Sequence, residues 1–92
     1  MSNIDWSQLT TRVMKKQAAA DRLLADAKGE LARRRAAADY AIAPLQDAVD
    51  LDDATDVEAA ALKAWKKYRV ALSRVPDQAG YPGTVEWPAA PA

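Results

Sequence analysis

Apolar residues recur at helical spacing from Trp6 to Val49. At about 100° per residue, Trp6, Leu9, Val13, Ala20, Leu24, Ala27, Leu31, Ala38, Ile42, Leu45 and Val49 fall within one narrow sector of a helical wheel. The stripe returns after 18 residues, with Trp6, Leu24 and Ile42 equivalent. That interval is five turns of a helix with about 3.6 residues per turn, so it reflects helix geometry rather than a repeat architecture. Asp5 followed by Gln8 reads as an N-cap with its reciprocal partner, which starts the helix near Trp6. Two polar gaps, Lys16-Gln17 and Arg34-Arg35, interrupt the stripe; their charged heads are expected to reach solvent while the stems lie along apolar surface. Gly29 weakens the helix by about 1 kcal/mol relative to Ala. Pro44 removes one backbone hydrogen bond and crowds the Tyr40 carbonyl, which predicts a kink or break near residues 40–44.

A second boundary follows. Asp47, Asp50, Asp52 and Asp53 crowd a short segment, and Thr55-Asp56-Val57-Glu58 is a capping-box sequence that opens a helix at about Asp56. Its acidic start and its basic residues Lys63, Lys66, Lys67, Arg69 and Arg74 suit the helix macrodipole. On the wheel Val57, Ala61, Ala64, Trp65, Tyr68, Ala71, Leu72 and Val75 share one face, and Lys63, Lys66, Lys67, Val70 and Arg74 share the other. Pro76 ends this helix, and the Pro/Gly-rich remainder reads as an extended tail pinned by Tyr81, Val85 and Trp87.

These elements predict an all-α fold. Residues 1–92 form a single helical hairpin: helix one over about 6–50, a shorter antiparallel helix two over about 56–75, and the tail over 76–92. Ile42, Leu45, Val49, Trp65, Tyr68, Leu72 and Val75 are the expected core. Helix two spans roughly 30 Å and helix one about 65 Å. The stripe from Trp6 to about Leu24 is therefore left without an intramolecular partner, and a second copy or a bound client must cover it, or it frays.

Composition narrows the function. Half of the 92 residues are hydrophobic, but many are alanines, so the core is thin and Trp6, Trp65, Tyr68 and Trp87 carry a large share of it. Thirteen basic residues balance thirteen acidic ones, which removes the overall field of a nucleic-acid or anionic-membrane binder. Cysteine is absent, so disulfides and thiolate metal sites are excluded. The N-terminus lacks a basic region followed by an apolar run, and no 18-residue apolar run occurs; a soluble protein without a cleaved signal is expected, in the cytoplasm by default.

Catalysis fares badly. Histidine and cysteine are missing, the serines lie at a terminus or within helical patterns, and the three glycines form no phosphate loop, so no catalytic residue and no cofactor is assigned. A calcium loop starting at Asp50 would place Ala54, Thr55 and Ala61 where an oxygen ligand, a glycine and a glutamate are needed, so no metal is assigned either. Arg33-Arg34-Arg35 reads as a salt-bridged face beside Glu30 and Asp39 rather than a phosphate site. Arg69 borders Trp65 and is placed to stack on it or to clamp a carboxylate. Trp87 is expected to dock in a groove beside Trp65, the other reading being an anchor presented to a partner.

The segment Trp65-Lys66-Lys67-Tyr68-Arg69 with Leu72 and Val75, followed by Trp87-Pro88 and preceded by Ile42-Ala43-Pro44-Leu45-Gln46-Asp47-Ala48-Val49-Asp50-Leu51, carries a family resemblance. It resembles the C-terminal helical domain of the tail fibre assembly proteins of tailed phages, over about residues 38–88. The resemblance implies a non-enzymatic chaperone for the distal part of the tail fibre protein, working in the host bacterial cytoplasm during assembly and in some members staying on the finished fibre. Many members carry a substantial region ahead of this domain, where this chain has the helix from Trp6. Partner contact is assigned to Trp6, Leu9, Val13, Leu24 and Leu31, then to Arg69 and Trp87, with self-association through helix one as a further use of the same stripe. The alternative is a small structural helical oligomer built into the tail or fibre tip. A nucleic-acid-binding hairpin, whose binding would collapse with salt, ranks last, and no membrane partner is expected.

Overall fold

The computed structural model describes residues 6–92, with side chains from Thr10 onward. The Asp5 cap, and the side chains of Trp6 and Leu9, lie outside the described residues. Helix α1 runs from Trp6 to Asp50, helix α2 from Asp56 to Ser73, and a 3-10 turn follows at Val75–Asp77. No strand occurs among the described residues.

α1 passes through Pro44 without interruption, so of the kink or break expected there the break is absent. Tyr40 is 85% exposed and Pro44 is exposed too. On that wet face water can take the carbonyl that proline leaves unpaired, so the helix need not stop. α1 ends instead at a Schellman turn: Asp53 N–H donates to the Ala48 carbonyl at 2.8 Å, Asp52 N–H to Val49 at 3.1 Å, and Asp52 adopts φ 54°. The capping box then opens α2, with Glu58 N–H donating to Thr55 Oγ1 at 3.1 Å and Thr55 N–H to Glu58 Oε1 at 3.0 Å.

α2 closes at Ser73, two residues short of the expected Val75. A residue before proline is disfavoured in the α region, and the chain tightens into the 3-10 turn around Pro76. The last turn of α2 holds no basic residue, but Arg74 is its C-cap, so of the expected cations Arg74 stands at the dipole end and the others sit along the helix.

Seam spacing corrects several core positions. On α1 the residues removed from solvent include a series at 24, 27, 31, 34, 38, 41, 45 and 48, alternating three and four, with Ile42 buried beside it. On α2 Ala61, Trp65, Tyr68, Leu72 and Val75 step in the same way. This is a 3.5-residue period, the mark of helices that coil around one another, and it drifts from a 3.6-residue wheel by about 20° per heptad. Drift moves the seam from Val49, which is exposed, to Ala48, and from Val57, which is 79% exposed, to Glu58. Ile42, Tyr68, Leu72 and Val75 are buried, Leu45 and Trp65 are half-buried, and Leu62 is buried although the wheel set it aside.

The core lies off-centre along the rod. Leu31 and Ala38 of α1 pack with Tyr68, Leu72 and Val75, and Trp65, Tyr81, Val85 and Trp87 close around them. Trp65 meets Tyr68 edge-on, with centroids 5.8 Å apart. The tail is turned rather than extended over residues 78–84. Tyr81 N–H donates to the Gln78 carbonyl, Thr84 N–H donates to Gly80, and the Tyr81–Pro82 peptide is cis. The Gln78 amide then clips the backbone of Glu86 in both directions at 2.8 Å. A Cβ on Gly80 would stand 2.5 Å from the Thr84 carbonyl oxygen, so this turn needs glycine.

The molecule measures 80 × 19 × 17 Å with a radius of gyration of 21.2 Å. A compact chain of this length would have about 12 Å. The excess comes from α1, which projects far beyond α2.

Candidate partner-binding site

The site is the stretch of α1 that nothing covers. Every residue from Thr10 to Leu23 is exposed, including Val13 at 60%, Met14 at 64% and Leu23 at 48%. Burial starts with Leu24, which is half-buried, and becomes complete at Ala27 and Leu31. Gln17 Nε2 donates to Asp21 Oδ1 at 3.0 Å, one turn along the helix, which supports the exposed stretch only locally.

The inner end of this stretch is built by the tail. A recess of about 440 Å³ lies between Leu23, Asp26, Ala27 and Glu30 of α1 and the segment from Pro82 to Trp87. Trp87 packs against the core, and the Arg34 guanidinium lies 4.8 Å from its ring centroid. Arg34 also donates from Nε to Glu30 Oε1 at 2.7 Å and from Nη1 to the Pro88 carbonyl at 3.3 Å. One side chain thus ties the tail to α1 at Trp87-Pro88. Arg33 holds the other oxygen of Glu30 at 2.6 Å. Hydrogen bonds from Arg33 and then Arg34 hold the Glu30 carboxyl below its ordinary range. The Glu30 hydrogen bond raises Arg34, against burial, with Tyr68 adding to it.

These placements redistribute the expected site residues. Val13 stands on the open stretch and Leu24 at its inner edge. Leu31 is buried in the intramolecular core with Ala38, Tyr68, Leu72 and Val75, and Val85 and Trp87 pack against that cluster. Arg69 clamps a carboxylate, Nη1 to Asp39 Oδ1 at 3.2 Å, in an exposed pair worth about 0–1 kcal/mol. The cation over an aromatic ring is Arg34 over Trp87, and Trp87 sits against the middle of α1.

Arg34 is the residue that wheel reasoning missed. Its signal was present: spacing of 3.5 puts Arg34 on the seam between Leu31 and Ala38, where a charged residue needs a partner brought from elsewhere. Among the described residues no group of acidic side chains could hold a metal ion, and no helix is long and apolar enough to cross a membrane.

Comparison with known proteins matches residues 2–92 to the family described as Caudovirales tail fibre assembly protein, lambda gpK. The chain is 36% identical over 86 residues to the probable tail fiber assembly protein of Escherichia phage P2, covering 94% of this chain and 46% of that protein. It is 60% identical over 50 residues to the tail fiber assembly protein of Escherichia phage lambda and to protein TfaD of Escherichia coli K12, over 54% of this chain. Those stretches cover 25% of the lambda protein and 26% of TfaD, so the chain corresponds to a minor part of each relative's length. No solved structure matches.

Proposed function

Since the chain belongs to the tail fibre assembly protein family of the Caudovirales, we propose that it is a non-enzymatic chaperone for the distal part of a phage tail fibre protein. It binds the newly made fibre chain in the host bacterial cytoplasm and shields apolar surface until the fibre folds and trimerises. The observation that carries this reading is the open half of α1: Val13 and Leu23 stand exposed on a helix whose other half is clamped by α2 and the tail. Val13 lies on the apolar stripe, which Trp6 and Leu9 extend in sequence and Leu24 continues to the tail, and Leu23 flanks it. A binder that prefers an assembly-competent conformation shifts the fibre's population toward it and suppresses aggregation without bond chemistry.

Co-expression with the cognate fibre protein tests the proposal. Soluble trimer and a co-purifying complex are expected with the wild-type chain, and both are lost with Val13→Glu plus Leu23→Glu while the hairpin's circular dichroism is unchanged. Fibre that trimerises equally well alone, with nothing co-purifying, ends the chaperone reading. The same open stripe favours a second reading, a structural oligomer retained on the tail or fibre tip. Sedimentation would then show stable self-association without affinity for the fibre.

A further inference from the structure

A second surface lies on the outer side of α2, and no tail residue lines it. It is an open groove of about 750 Å³ whose apolar floor includes Val49, Leu62 and Val70. Val70 is 46% exposed. Four cations line the same groove: Lys63, Lys66, Lys67 and Arg74. Counted from Val70, Lys67, Lys66 and Arg74 stand at −3, −4 and +4, its surface neighbours on the helix, and Lys63 lies one turn further at −7. An exposed apolar side chain is thus ringed by positive charge.

None of these four cations forms an ion pair with an acidic residue among the described residues. Like charges three and four apart on a helix repel, each pair costing a few tenths of a kcal/mol. The chain holds as many acidic as basic residues yet places none of its carboxylates in this ring. Asp47, Asp50, Asp52, Asp53 and Asp56 cluster instead around the junction of α1 and α2.

We propose that this groove is a docking surface for an acidic, amphipathic segment of a partner protein, which seats an apolar side chain on Val70 and sets carboxylates against the lysine rim. Charge complementarity selects this occupant. A second copy packed two-fold on the same face would bring lysine against lysine. Nucleic acid would find no aromatic platform, since the lining holds none. An apolar centre with a charged rim is the anatomy of a protein docking spot. The surface is separate from the open stretch of α1, so it does not rest on the chaperone reading.

The test is an amide NMR titration of the full chain with a synthetic helical peptide that carries leucines on one face and glutamates beside them. Saturable shifts confined to Val49, Leu62, Val70 and their neighbours are expected. Lys66→Glu with Lys67→Glu should weaken binding about tenfold, and so should Val70→Glu; Lys66→Gln, which adds no repulsion, should weaken it less. All these positions are exposed, and unchanged circular dichroism verifies the fold. The proposal is overturned by an absence of saturable binding or by equal binding of polyglutamate, which lacks the apolar face. It is also overturned by stronger binding to phosphatidylglycerol vesicles, or by concentration-dependent dimerisation that Val70→Glu abolishes.

Discussion

Residues 10–23 and residues 27–42 of α1 share one apolar stripe in one phase, yet the first stretch is wholly exposed while Ala27, Leu31, Ala38 and Ile42 in the second are buried. Periodicity specifies the face a helix can bury. Whether that face is buried depends on the reach of its partners. α2 has 18 residues, about 27 Å of helix, and the tail extends cover as far as Ala27. Residues 10–23, beyond that point, are all exposed, and the Gln17–Asp21 hydrogen bond supports them only locally.

The contrast breaks most sharply at the core. Leu72 is completely buried, so Leu72→Ala should cost about 2–5 kcal/mol, whereas Val13→Ala should stay within about 0.5 kcal/mol. Denaturant melts of both variants test this, and equal costs would mean that the open half carries folding energy after all. Gly80→Ala should destabilise the hairpin by about 1–3 kcal/mol, because its Cβ meets the Thr84 carbonyl. Hydrogen exchange should report the loss at residues 27–42 and leave 10–23 unchanged. Arg34→Ala removes the Glu30 pair, the Pro88 hydrogen bond and the Trp87 stack, for about 1–2 kcal/mol. Arg34→Lys should restore only part of this, since lysine lacks the planar fork, and Trp87 fluorescence shifting toward that of an exposed indole in Arg34→Ala would register release of the tail.

Smaller changes sharpen the comparison. Asp52→Gly relieves a positive φ at the end of α1 and should stabilise the covered half by about 0.5–1 kcal/mol, read as a raised melting temperature. The smallest effect is that of pH. Glu30 has its folded pKa depressed below 4.5 by Arg33 and Arg34. Its contribution is therefore present above 4.5 and is lost as pH falls through the depressed value. Melting temperatures of wild type and Glu30→Gln should accordingly converge in acid and separate above that range. Parallel curves would remove Glu30 from the clamp.

Elements and their ends were legible in the residues. The Thr55/Glu58 box, the Pro76 stop and the aspartate-rich turn act through contacts a few residues apart, so their sequence spelled out α2 from Asp56 and the end of α1 at Asp50. The pairing of Arg34 with Trp87 was not legible, because it joins positions 53 residues apart across a tail whose path depends on the Gln78 clip and the close approach at Gly80. Likewise Val49 read as core and Val57 as part of the inward face on an isolated helix, and both stand exposed because the seam of the packed pair runs through Ala48 and Glu58 instead.

By itself the sequence determined a long amphipathic helix, a capped second helix, the turn between them and a family resemblance, since propensity, capping and periodicity are local. Only the tertiary structure decided how much of the stripe is spent internally. That quantity depends on where α2 stops and where Trp87 comes to rest, and these follow from packing between distant segments rather than from the residues of α1.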